Sequence, residues 1–173
     1  MAHKDAIFLA ATSGDVATLV SVLGTEGAVA VRMDEDPEEL TTLHHAAAVG
    51  QLEVVKYLLS ASVGSDACAA RMNNFTPLHS AAMNGHVAVC EELLRAGAQV
   101  NVQTVPQGYT PLHSAGFAGH IDVLRVLLAH GGDRTLVNYR NERPSDTAKR
   151  QNQSEAAKLL NCKTAKRQWW RFW

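Results

Sequence analysis

The sequence has few aromatic residues, little net charge and no long apolar run. Aromatic residues make up 6% of the 173 residues, and all three tryptophans fall among the last five. The formal net charge is −1, which argues against a nucleic-acid binder with a strongly basic surface. No apolar stretch reaches the roughly 18 residues of a membrane-spanning helix. Because Gly14 and Asp15 interrupt the first apolar stretch early, no signal peptide is expected.

Cysteine is also rare, with only Cys68, Cys90 and Cys162 in the chain. An odd, scattered set indicates reduced thiols rather than a disulfide framework, so we expect a cytoplasmic protein, with the nucleus as an alternative. Hydrophobic residues reach 46% and charged residues 19%, as in a folded domain with its own core.

A Thr-x-Leu-His block recurs along the chain with a period of about 34 residues. It stands at 41–44, 76–79 and 110–113, and a glycine follows each block at Gly50, Gly85 and Gly119. A leucine pair then completes each unit, at 58–59, 93–94 and 127–128. Gly14 and Asn152 hold the glycine position in two degenerate units at the ends, so the pattern predicts five units.

Local chemistry predicts two helices in each unit. Threonine favours a helix N-cap and proline the first helical position, while glycine ends a helix cheaply in the left-handed conformation. First helices are therefore predicted at 78–84 and 112–118, and second helices at 87–95 and 121–130. Such short pairs cannot bury their apolar faces alone, so the units must stack.

This pattern resembles the ankyrin repeat, whose Thr-Pro-Leu-His tetrad stands here at 76–79 and 110–113. The resemblance implies an all-α solenoid of about five helix-turn-helix units with β-turn fingers. We place the repeat domain at 1–161, with units at about 5–36, 37–71, 72–105, 106–138 and 139–161. The last unit departs from the tetrad, because Ser145 and Asp146 replace the leucine and the histidine. Residues 162–173 form an aromatic and basic tail.

The histidines have a structural rather than a chemical interpretation. His44, His79 and His113 share one position of the repeat, which predicts a ladder of hydrogen bonds between units. His86 and His120 share a second position, directly after the glycine. No His-x-x-x-His, Cys-x-x-Cys or phosphate-binding glycine loop occurs, and Cys90 is expected in the core. We therefore predict no enzyme, no metal and no cofactor.

The resemblance implies a protein partner that lies on the concave face of the fingers and first helices. The variable positions of that face are Leu40, Met72, Asn73, Phe75, Met83, Asn84, Pro106, Gln107, Tyr109, Phe117, Tyr139 and Arg140. Exposed methionine and aromatic residues are typical anchors of a binding surface. Alternatively, Phe75 and Tyr109 only cover the finger bases.

Charge is distributed unevenly along the chain. Residues 1–60 carry three Lys/Arg against nine Asp/Glu, whereas residues 140–173 carry nine against three. Five of the acidic residues crowd the first finger, within 34–39. The electrostatic field of this charge distribution either steers a partner or promotes head-to-tail self-association. Alternatively, the charges only keep the chain soluble.

The tail departs from the repeat pattern and ends in Trp169, Trp170, Arg171, Phe172 and Trp173. It either folds back on the last unit, forms a linear motif for a partner, or contacts a membrane interface or a nucleic acid. The sequence thus predicts a monomeric, non-catalytic adaptor, scaffold or inhibitor without a small-molecule substrate. The alternative is a tether to a membrane surface or nucleic acid through the tail, with the repeats holding cargo.

Overall fold

The computed structural model describes residues 2–23, 41–61 and 73–162, and this part of the chain contains ten helices. In chain order these are α1 (Ala2–Ser13), α2 (Val16–Leu23), α3 (Thr42–Val49), α4 (Leu52–Ala61), α5 (Pro77–Asn84), α6 (Val87–Arg95), α7 (Pro111–Ala118), α8 (Ile121–Ala129), α9 (Pro144–Arg150) and α10 (Ser154–Asn161). They form five antiparallel pairs, as the sequence predicts.

The pairs stack into two layers of helices. The first helices pack in the order α1, α3, α5, α7, α9, and the second helices pack in the order α2, α4, α6, α8, α10. Leucines and small residues fill the space between the layers, with Leu78, Leu93, Leu112 and Leu127 fully buried. The predicted all-α solenoid is therefore confirmed in the described residues.

Capping side chains begin the first helices. Thr76 accepts the backbone N–H of His79 with its hydroxyl group, and the Thr76 backbone N–H donates to Nδ1 of His79 at 3.2 Å. The same reciprocal cap recurs at Thr41 and Thr110. In the last unit Asp146 replaces the histidine, and its carboxylate accepts the N–H of Arg143 at 3.2 Å. The degenerate unit thus keeps its helix start by other chemistry.

Left-handed residues end the first helices at the predicted positions. Gly85 and Gly119 have φ angles of 82° and 81°, and Asn152 adopts 60° at the same position of the last unit. Asparagine tolerates this conformation better than most residues. Three expected boundaries shift by one residue: α5 and α7 begin at Pro77 and Pro111, and α8 ends at Ala129 with His130 as its C-cap residue.

Candidate functional site

A ladder of buried histidines ties the second, third and fourth units each to the next. The Nε2 atoms of His44, His79 and His113 lie 3.0, 3.1 and 3.0 Å from the carbonyl oxygens of Phe75, Tyr109 and Glu142. A carbonyl oxygen only accepts, so each Nε2 carries the proton while Nδ1 accepts the N–H of the cap threonine. The predicted structural role of these histidines is confirmed.

A second set of histidines links the units in the opposite direction along the chain. His86 donates from Nε2 to the carbonyl oxygen of Ala48 at 2.9 Å, and His120 does so to Met83 at 3.1 Å. Gln51 makes the equivalent bond to Thr12 at 2.8 Å. Both repeated histidine positions therefore hold the stack together.

Burial favours the neutral form of His79 and His113 in the ladder. The pKa of His79 is lowered to about 4, chiefly because burial removes the ring from water, with a smaller contribution from the nearby His44 and His113, and against the opposing effect of the hydrogen bond to Tyr109. Burial also lowers the pKa of His113. Since neutral imidazole is the form that both donates and accepts, these shifts favour the observed bonding pattern.

The fingers of the last three units pair side by side through backbone hydrogen bonds. The N–H of Val105 donates to the carbonyl oxygen of Asn73 at 2.8 Å. One unit further on, the N–H of Tyr139 donates to Gln107 at 2.9 Å. The finger tips therefore form one continuous edge along the stack.

Phe75 and Tyr109 lie at the base of the fingers and are only partly exposed. The Phe75 ring stacks on the imidazole of His79 with centroids 5.3 Å apart. Tyr109 meets His113 edge to face at 5.7 Å and lies 6.4 Å from the ring of Tyr139. Both rings thus cover the histidine ladder, as the structural alternative predicts, and each keeps a partly exposed surface.

The other predicted partner-binding residues in the described part of the chain are exposed. Met83, Phe117 and Tyr139 expose 37%, 39% and 58% of their surface. The polar and proline members are also exposed, namely Asn73, Asn84, Pro106, Gln107 and Arg140. Leu40, Met72 and the tail residues Trp169, Trp170, Arg171 and Trp173 lie outside the described residues. Their assignment to a binding site stays a prediction.

Helix geometry places the exposed helical residues on the same side as the fingers. Met83 and Phe117 each stand seven residues after the cap threonine of their unit. Seven residues are nearly two turns at about 3.6 residues per turn, so these side chains project on the cap side of α5 and α7. The last unit shows the relation directly, because Arg150 at the same position lies 3.2 Å from Glu142 at the finger base. We call this surface the finger face. Its members in the third to fifth units are the exposed residues Asn73, Met83, Asn84, Pro106, Gln107, Phe117, Tyr139 and Arg140 and the partly exposed Phe75 and Tyr109.

The structure adds Arg143 and Arg150 to this face, and neither residue is among those that the sequence predicts for it. Arg143 is exposed at the cap position of the last unit, and Arg150 ends α9. Counting seven residues from the cap position of every unit would have identified Arg150. In the last unit Arg143 stands where the other units have the cap threonine, so the cap position from which to count is not evident in the sequence.

Two features of the described residues concern metal binding and thiol chemistry. These residues contain no group of three or more His, Cys, Asp or Glu side chains placed to hold a metal ion. Cys90 is fully buried, and burial raises the pKa of its thiol to about 12, which disfavours the nucleophilic thiolate.

None of the ten helices above has both the length and the apolarity to cross a bilayer.

A stack of helix-turn-helix units with histidine ladders and paired fingers defines a helical repeat solenoid. The family model described as "Ankyrin repeats (3 copies)" matches residues 7–104 and residues 63–138. The chain therefore belongs to the ankyrin repeat family, whose repeats indicate a protein-interaction module.

Curated relatives match part of the chain. A palmitoyltransferase AKR1 of Lachancea kluyveri is 37% identical over 102 residues, which is 58% of this chain and 13% of the relative. A diacylglycerol kinase zeta of Rattus norvegicus is 39% identical over 76 residues, 44% of this chain and 8% of the relative. A probable E3 ubiquitin-protein ligase XBOS31 of Oryza sativa is 37% identical over 94 residues, which is 54% of this chain and 20% of the relative. The match thus spans a fifth or less of these relatives.

Proposed function

We propose that this chain is a non-catalytic protein-interaction module, an adaptor, scaffold or inhibitor, that binds a protein partner on the finger face. The observation that carries the proposal is the pair of equivalent apolar side chains, Met83 and Phe117, exposed beside the paired finger tips. Partly exposed aromatic and methionine side chains are typical anchors of protein interfaces.

The histidines of the buried ladder are committed to the fold, which supports a non-catalytic role. His79 and His113 are buried with both ring nitrogens hydrogen-bonded to neighbouring groups. The named relatives include enzymes, but the regions matched here cover 8–20% of their lengths. In our proposal, this chain corresponds to the partner-binding part of such proteins. The free thiols of Cys90 and Cys162 support a cytoplasmic location, which we also propose.

The test is a comparative affinity capture from cell lysate with the full chain as bait. Met83→Ala/Phe117→Ala truncates the anchors at exposed positions, so the fold is expected to survive, as circular dichroism would verify. Val20→Ala, which changes a similarly exposed apolar residue of α2, is the matched control. We expect a partner that the full chain and the control retain and the double variant loses.

A truncation to residues 1–161 separates this proposal from the tether alternative. A partner, membrane or nucleic acid that is lost only with the truncation would move the binding function to the tail. If the double variant captured the same proteins as the full chain, the finger-face proposal would be wrong.

A further inference from the structure

We infer that the partner presents an extended acidic segment to the finger face, with apolar side chains on the third and fourth units and carboxylates on the fifth. The inference rests on the function proposed above and specifies the partner's chemistry. The observations that carry it are the exposed Phe117 of the fourth unit and, on the fifth, the contact of Tyr139 with Arg140 and the exposed Arg143.

The apolar half of the surface spans two adjacent units. Met83 on α5 and Phe117 on α7 hold equivalent positions in neighbouring helices and both are exposed. Tyr139, with its ring 6.4 Å from that of Tyr109, extends the aromatic surface along the finger edge. These side chains offer contact area to apolar residues of a partner.

The cationic half begins at the fifth unit. Between residues 140 and 150, four cationic side chains stand against two carboxylates. Lys149 binds Asp146 at 3.1 Å and Arg150 binds Glu142 at 3.2 Å. Within the described part of the chain Arg140 and Arg143 form no ion pair, and they interact only at longer range with Glu142 and Asp146. With four cations against two carboxylates, this unit keeps an excess of two positive charges.

Arg140 is held in place by a neutral group rather than by an acid. Its guanidinium carbon lies 5.2 Å from the centroid of the Tyr139 ring, and its Nε donates to the Tyr139 hydroxyl oxygen at 2.5 Å. The contact orients the side chain without an ion pair, and Glu142 interacts with its charge only at longer range. A planar guanidinium group binds carboxylates through two parallel hydrogen bonds, which favours an acidic ligand.

The spacing of the units sets the spacing of the partner's residues. Neighbouring packed helices lie about 10 Å apart. An extended chain advances about 3.3 Å per residue, so one unit corresponds to about three residues of the partner. We therefore expect two apolar residues about three positions apart and at least one Asp or Glu about three positions beyond them.

The experiment is the selection of a random 12-residue peptide library on the immobilised full chain, followed by affinity measurement of the enriched peptides. We expect enrichment of the apolar and acidic spacing given above. Arg140→Gln/Arg143→Gln should weaken these peptides about tenfold and reduce the salt dependence of binding. Met83→Ala/Phe117→Ala should also weaken the binding of these peptides, because it removes the surface that their apolar residues contact.

The matched control is Arg125→Gln/Lys158→Gln, which removes two positive charges from exposed positions on α8 and α10. This variant has the same net charge as the test variant and should bind normally. Equal weakening by both double variants would show a general charge effect and overturn the inference.

The two proposals fail separately. If selected peptides lack acidic residues but lose affinity with Met83→Ala/Phe117→Ala, the finger face remains the binding site and the acidic partner is excluded. A selection that yields no peptide sensitive to Arg140→Gln/Arg143→Gln overturns this inference. Self-association in sedimentation velocity that this same variant abolishes would identify a second copy, through its acidic residues 34–39, and would overturn the assignment to a separate partner.

Discussion

The Nε2 atom of His79 lies 3.1 Å from the carbonyl oxygen of Tyr109, and this hydrogen bond joins the third unit to the fourth. The other ring nitrogen accepts the backbone N–H of Thr76 within its own unit. One imidazole therefore satisfies a helix cap and a contact between units at the same time. Each rung of the ladder couples local helix formation to stacking.

Replacing His79 with leucine is expected to lower the free energy of unfolding by about 2–4 kcal/mol, because it leaves a buried N–H and a carbonyl oxygen without their imidazole partner. Urea denaturation followed by circular dichroism measures the change. His130→Leu is the control at an exposed position and should cost less than about 0.5 kcal/mol. Equal losses for the two variants would contradict the structural role of His79.

Stability is expected to fall as the pH drops from about 6.5 towards 4. The pKa of His79 is about 4 in the folded chain because of burial, against an ordinary value of 6.5. In this window the unfolded chain binds a proton that the folded chain does not, so each buried histidine contributes a slope of up to about 1.4 kcal/mol per pH unit. The lowered pKa of His113 acts in the same direction.

Urea midpoints between pH 7.5 and 4.5 test this dependence. In the His79→Leu background the slope should be smaller, since one of the titrating groups is gone. An unchanged slope in that background would assign the pH effect to other groups.

Gly116→Val is expected to destabilise the chain by about 2 kcal/mol through overpacking. A Cβ atom at this position of α7 would lie 3.1 Å from the carbonyl oxygen of Pro144 and 3.3 Å from Cδ1 of Leu160. Thermal unfolding measures the loss. Ala88→Val, at an exposed position of α6, should cost only its helix propensity, less than about 0.7 kcal/mol. A neutral Gly116→Val variant would mean that α7 and α9 pack less closely than described.

Cys90 is expected to resist thiol reagents in the native chain, because it is buried and its pKa is raised to about 12. In a Cys68→Ser background, maleimide labelling at pH 7 should modify Cys162 rapidly and Cys90 only after denaturation. Mass spectrometry of the labelled peptides distinguishes the two thiols. Rapid native labelling of Cys90 would show that the space between α6 and its neighbours opens readily.

Sequence periodicity predicts much of the candidate site. The shared positions of Met83 and Phe117 follow from the repeat length, and both are exposed. The partial burial of Phe75 and Tyr109 does not follow in the same way. Those rings rest on imidazoles, and the extent of coverage depends on how closely the units stack.

The ion pair between Arg150 and Glu142 could not be predicted from the sequence either. Nothing in the chain order indicates that Arg150 reaches Glu142, or that Arg140 contacts Tyr139 instead of an acid. Side-chain pairing on a surface depends on three-dimensional distances of a few ångströms. The available charge on the finger face is therefore a property of the folded molecule.

The sequence by itself determined the five helix pairs and their ends, because caps, prolines and left-handed glycines act on the backbone within a few residues. Only the tertiary structure decided which of the repeated side chains cover the histidine ladder and which face solvent with unpaired charge. That choice arises from contacts between successive units, where residues about 30 positions apart come together.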